Sequence, residues 1–242
     1  MSEPLLYTAL IGPYDTLKEH SHHRSLSFCF TDQVNIKSSS WTIIPCKSPQ
    51  DTVDGRIRTA RYYKALAHRF LPPHDVSVWV DASIHVVEIT TARNWLYRED
   101  MATFRYPDTY GPRDCAYDEA NACINRGKDA QDIIVGQMNR YVTAGFPRNA
   151  GLVETTVLAR RNTASVREFN EAWWREISGG SRRDQLSFNY CCWRLGLSYA
   201  CLPGHRLCNP FGKYAPHRQS IYLGSPYTTG AIHESTLAYH PT

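Results

Sequence analysis

Asp81 is the residue whose type and position most directly suggest chemistry. It ends the run Val76, Val78, Trp79, Val80, and the small residues Ala82 and Ser83 follow before a second apolar run. A short β-branched stretch of this kind suits a strand buried on both faces of a parallel sheet. A carboxylate at the end of such a strand stands where open α/β sheets bind ligands. Desolvating it is costly unless a cation or several donors face it. Asp81 therefore either helps hold a divalent metal and a charged ligand or caps the turn after its strand. Asp32 stands in a similar position after the alternating stretch 25–30. Arg58, Arg61 and Lys64 share one face of a helix-patterned segment. Arg182, Arg183 and Asp184 open another helix, whose N-terminal amides favour an anion.

These groups answer the needs of a nucleotide sugar. The base and ribose need polar groups, the pyrophosphate needs a metal and cations, and the reacting sugar needs a carboxylate nearby. Mg²⁺ or Mn²⁺ would act there as a Lewis acid on the leaving diphosphate. Each residue also has a plainer use. The Arg58, Arg61, Lys64 row suits a solvated helix face, Asp184 sits at a capping-box spacing from Ser181, and Glu154 suits the outer face of a strand. Trp173 and Trp174 read as core rather than as a platform for stacking sugars. Arg113, Asp114, Asp118 and Glu119 suit a salt-bridged loop shaping the acceptor side.

The elements that must position these groups follow from the apolar periodicity. Strands are expected over 5–11, 25–30, 41–46, 76–80, 151–159 and 199–202. Helices are expected over 51–70, 90–97, 118–126, 130–142, about 166–177 and from 181 onward, with 104–118 as loop. Strand and helix signals alternating in this way favour an α/β fold with a mixed, mostly parallel central sheet flanked by helices. Without linker, repeat or low-complexity tract, residues 1–242 read as one domain, with 203–242 a loop-rich tail packed on it.

Length and composition set outer bounds. The chain has 242 residues, 42% hydrophobic and 21% charged, ordinary for a globular protein with a sizeable core. A net charge of +4 with no basic run argues against a nucleic-acid binder. The first apolar run is too short for a signal core or a membrane span, so a cytoplasmic setting is expected. There the eight cysteines should be reduced. Cys191, Cys192, Cys201, His205 and Cys208 include no CxxC pair, and the cysteines read as small buried thiols rather than zinc ligands.

Several motifs resemble, in order, the TOD/MUCI glycosyltransferase-like domains. They are Tyr7-Thr8-Ala9 with Gly12, Tyr14 and Asp15; Cys29-Phe30-Thr31-Asp32; Arg61 with Lys64; and Trp79-Val80-Asp81-Ala82-Ser83-Ile84. Further along are Arg113-Asp114-Cys115-Ala116-Tyr117-Asp118-Glu119-Ala120, Gln137-Met138, Gly151-Leu152, Trp173-Trp174 and Arg183-Asp184-Gln185-Leu186-Ser187-Phe188. That family is similar to GT-A glycosyltransferases. The resemblance implies a single GT-A-like domain that moves a sugar from a nucleotide-sugar donor to a glycan or other hydroxyl acceptor. The expected setting is surface polysaccharide synthesis, with peripheral attachment to the assembly.

Donor contacts are then expected from Thr8, Ala9, Tyr14, Asp32, Arg61, Lys64, Asp81, Ala82, Arg183 and Gln185, and catalysis from Asp184, with Glu154 as second candidate. Asp81 stands where the family's metal-binding Asp-x-Asp lies, but here the motif reads Asp81-Ala82-Ser83. Serine is a weaker ligand for a hard cation than a carboxylate. Mn²⁺ or Mg²⁺ would need Asp81, Ser83 and a tail histidine, His217 or else His240. The missing carboxylate also suits a non-catalytic nucleotide- or glycan-binding module, and Asp81 with histidines suits a metal-dependent hydrolase.

Overall fold

The computed structural model describes residues 3–13, 15–22, 26–89, 91–111 and 113–215. Seven strands form one sheet in the order β3 (Thr42–Pro45), β2 (Ser27–Thr31), β1 (Leu5–Leu10), β4 (Val76–Val80), β7 (Val153–Arg161), β6 (Met101–Arg105), β8 (Ala200–Leu202). Neighbours are parallel except on both sides of β7, which runs against β4 and β6. Six carboxyl ends and the amino end of β7 therefore share one edge. A small ribbon, β5 (Ile84–Val86) with β9 (Gly212–Tyr214), is separate. The architecture is the expected α/β one, consistent with a single GT-A-like domain.

Alternation along the strands divides the core. Tyr7, Ala9, Trp79 and Leu158 face helices α1 (Val53–Ala65), α4 (Ala116–Asn125), α5 (Gln131–Thr143), α6 (Ala164–Gly179) and α7 (Gln185–Leu195). Leu6, Leu10, Val78 and Val80 face Trp41, the β5–β9 ribbon and the one-turn helix α3 (Ala92–Trp95). Thr52 caps α1 by accepting the Gly55 N–H at 3.0 Å.

Three expectations need correcting. The helix over 51–70 is two, α1 and α2 (Ala67–Phe70), broken at Leu66. The cause is Arg160 of β7, wholly buried, which donates to the carbonyls of Lys64 (2.6 Å) and Ala65 (3.0 Å) and to Asn170 Oδ1 and the Tyr7 hydroxyl. A guanidinium inserted there takes carbonyls that would otherwise continue the ladder. The expected loop over 104–118 begins inside strand β6 and ends inside α4, with a short 3₁₀ turn at Asp108–Tyr110. The helix over 90–97 shrinks to the single turn α3.

No carboxylate pairs with Arg160 among the described residues. Its substitution thus strips several buried acceptors without freeing a buried anion. Arg160→Met should lower stability by about 3 kcal/mol, read as a lower urea midpoint by circular dichroism.

Candidate functional site

The shared edge of the sheet brings together residues far apart in sequence. Trp79 on β4 and Asp81 just past its end are two residues apart, and the Trp79 indole N–H donates to Asp81 Oδ1 at 2.7 Å. The Asp81 N–H extends the ladder to Thr156 O at 2.8 Å. From α1, Lys64 Nζ approaches the same Oδ1 at 3.5 Å and Arg61 Nη1 at 4.0 Å. All of these side-chain contacts fall on one oxygen, and the Asp81 side chain is 25% exposed.

Behind it is a buried ion cluster. Lys64 Nζ, on a side chain 1% exposed, donates to Asp184 Oδ2 at 2.6 Å and Thr155 Oγ1 at 2.9 Å. Thr155 passes a hydrogen bond on to Asp184 Oδ2 at 2.9 Å, and Arg61 Nε lies 3.2 Å from Asp184 Oδ1. The plainer use of Asp184 is a capping box with Ser181; it stands instead at the N-cap position of α7. There it makes no side-chain cap bond, and Trp173 Nε1 holds its carbonyl at 3.0 Å. A charge-assisted bond to a buried ammonium outweighs one to a helix N–H. Burial pushes the Asp184 carboxyl up, but Arg61, Lys64 and Arg183 together hold it well below the usual range. Burial takes the Lys64 ammonium below its ordinary value, with Asp184 and Asp81 drawing it back.

The third part of the edge is Glu154, at the start of β7. Its Oε2 accepts the Arg206 N–H at 3.0 Å and its Oε1 lies 3.3 Å from the Arg206 guanidinium. Arg206 stacks over Tyr214 at 5.1 Å, and the Ala215 N–H reaches Ser83 O at 2.7 Å. Residues 203–214 thus form a strap across the edge, clasped by Glu154. Burial raises the Glu154 carboxyl above its usual value; Arg206 opposes this, and Asp81 and Glu119 add to it.

The model of the TOD1/MUCI70 glycosyltransferase-like domain matches residues 16–202, most of the chain. The chain belongs to this family. It is also similar to a probable hexosyltransferase, MUCI70, of Arabidopsis thaliana, with 27% identity over 145 residues. That match takes in 56% of this chain and 25% of the relative, so the chain spans about a quarter of that protein's length.

Within this glycosyltransferase-like domain, Arg61, Lys64, Asp81 and Asp184 meet as a cluster, with Glu154 on the same edge. Arg183 turns to Gln185 Oε1 at 3.1 Å and lies 4.0 Å from Glu119, while Gln185 Nε2 donates to Val153 O at 2.7 Å. Ala82 is half-buried beside Asp81, and Ser83 is buried. Thr8 and Ala9 are a correction. Both are enclosed within β1, which continues to Leu10, so they pack the sheet and do not line its edge. Beyond the strand, Gly12, at φ 79°, offers its N–H to Asp32 Oδ1 at 2.7 Å. Asp32 therefore shapes the loop after β1.

Arg58 does not share the work of Arg61 and Lys64. It donates to the carbonyls of Ile177 and Gly180, closing the end of α6. Arg182 joins Asp54 at 3.1 Å and Lys128 O at 2.9 Å. Trp173 is core, as expected, and Trp174 packs on Tyr62. Tyr14, His217 and His240 lie outside the described residues. All eight cysteines are free thiols; Cys191 and Cys192 are buried as expected, but Cys201 and Cys208, on the short edge strand β8 and in the strap after it, are exposed. Sequence reasoning missed Thr155, Trp79 as a partner of Asp81, and Arg206. The i, i+2 spacing of Trp79 and Asp81 was the available signal; Arg206, in an aperiodic tail, gave none.

The described residues do not fit a divalent ion at Asp81. One Asp81 oxygen is bound by an indole N–H and faced by two cations, and Asp184 is consumed by the same cations. Among the described residues the group of three possible ligands within 4.8 Å is Asp114, Cys115 and Asp118, at the start of α4, and Asp81 is not in it. Also among them, no helix is long and apolar enough to cross a membrane.

The Asp184 cluster should show in stability. Asp184→Asn leaves Lys64 and Arg61 under-compensated and should cost about 3–5 kcal/mol. Because folding depresses the Asp184 pKa, its contribution is present above pH about 4 and is lost as pH falls below that. Urea unfolding across pH 2–7 should show this acid limb in the parent, and the variant should lack its Asp184 component.

Proposed function

We propose that this domain transfers a sugar, a hexose by analogy with the plant relative, from a nucleoside-diphosphate donor to a hydroxyl of a glycan. The observation supporting this is the meeting of Asp81, Arg61, Lys64 and Asp184 at the carboxyl edge of the sheet in a chain of a glycosyltransferase-like family. Polysaccharide synthesis in the cytoplasm, with the protein attached peripherally to an assembly, is the setting we propose for it.

The residues divide the work unequally. Asp184, buried and held ionised by three cations, is a poor proton acceptor; its use is to fix Lys64 and Arg61. Glu154, whose carboxyl is raised, is the better one. In a direct displacement, the acceptor oxygen bonds to the anomeric carbon as the bond from that carbon to the diphosphate oxygen breaks. The hydroxyl proton passes to Glu154, and the nucleoside diphosphate leaves with its added negative charge toward Arg61. Asp81 offers its open oxygen to the donor's hydroxyls. No step is assigned to a metal.

A second reading, a non-catalytic nucleotide- or glycan-binding module, is favoured by Ser83 standing in place of the motif's second carboxylate. It predicts ligand binding without turnover.

Thermal shift with UDP, GDP and ADP, each with Mn²⁺ or with EDTA, tests donor binding. One nucleotide should raise Tm by roughly 5 °C at a hundredfold excess over Kd, equally in EDTA. In assays of nucleoside-diphosphate release from the matching hexose donors, Glu154→Gln should keep the Tm shift and lose about 10²-fold or more in kcat. Parental kcat in that variant would remove Glu154 from the reaction. Nucleotide binding by the parent with no product released from any donor would support the binding-module reading.

A further inference from the structure

The pairing of β6 with β7 jumps. Thr103 is opposite Leu158, but Phe104 is opposite Glu154, so Thr155, Thr156 and Val157 have no partner on β6. A bulge re-aims the residues within it, and here each of the first two, with Glu154 before them, reaches the site. Glu154 clasps Arg206, Thr155 Oγ1 bonds Lys64 and Asp184, and Thr156 O accepts the Asp81 N–H.

A bulge leaves backbone carbonyls without ladder partners, and a buried one is costly. Thr103 meets that need. Its wholly buried hydroxyl donates to Val157 O at 2.8 Å and lies 3.3 Å from Glu154 O, spanning the bulge from end to end. On its other side Thr103 pairs with Cys201 of β8, the strand that leads into the strap. Its hydroxyl bonds go to main-chain carbonyls and not to the charged side chains of the edge.

We infer that Thr103 is a positioning residue for sugar transfer, setting through the β7 bulge where Glu154 and Thr155 stand. This rests on the transferase reading above. A valine at 103 keeps the shape and removes the hydrogen bonds, whereas serine keeps the hydroxyl. Small displacements of reacting groups cost large factors in rate.

The experiment measures kcat and KM for hexose-donor turnover, nucleotide-induced Tm shift with UDP, GDP and ADP, and urea midpoint. It compares the parent, Thr103→Val, Thr103→Ser and a core control, Val166→Ala of α6. Thr103→Val should lose about tenfold or more in kcat while its nucleotide shift persists. Thr103→Ser should restore kcat to within about twofold of the parent. Val166→Ala should lower the urea midpoint with kcat unchanged, separating positioning from general loss of stability. Should the valine variant fail to fold, Thr103→Cys, a weaker donor, should give an intermediate kcat. Parental kcat in the valine or cysteine variant, or no recovery with serine, overturns the role of Thr103 and leaves the transferase reading standing. A parent that neither binds nucleotide nor releases it from any donor overturns both.

Discussion

Burying one ammonium, that of Lys64, constrains most of this molecule. An unpaired cation at that depth would be expelled or neutralised, so the chain supplies acceptors from three separate elements. Asp184 comes from the turn before α7, Thr155 from β7 and Asp81 from the end of β4. Because these acceptors belong to different elements, the cluster fixes α1, α7 and the middle of the sheet relative to one another. Arg160 secures the same lysine from below through its backbone carbonyl.

Such a cluster also separates roles among carboxylates. Asp184 is stabilised as an anion by three neighbouring cations, which suits electrostatic support and opposes proton uptake. Glu154 faces one guanidinium and two other carboxylates in a buried place, which makes protonation easier. Asp81 stands between them with one oxygen engaged. This inequality of environments is the physical difference that sets the three carboxylates apart.

Much of this was legible in residue types and spacing. Asp81 after a β-branched run, Arg61 and Lys64 three apart on a helix, and Asp184 at a helix start all stand out by residue type and spacing alone. The α/β class followed from alternating strand and helix signals. Other features depend on long-range pairing that local pattern does not encode. Met101–Arg105 is buried at four of its five positions and so shows no alternation to mark it as a strand. The reversal of β7, which carries Glu154 to the same edge as Asp81 by its amino end, leaves no trace in periodicity. Arg58 looked equivalent to Arg61 on the helix face, yet only packing against α6 shows that it closes that helix. Thr8 and Ala9 were misplaced because a motif match says nothing about how far a strand continues.

The outer strands of the sheet are its shortest features. β3 has four residues and ends in Pro45, and β8 has three. Proline offers no N–H, and so little open backbone gives another chain scant length on which to add a strand. Among the described residues, the edges of this sheet therefore give a second copy little template for pairing strand to strand.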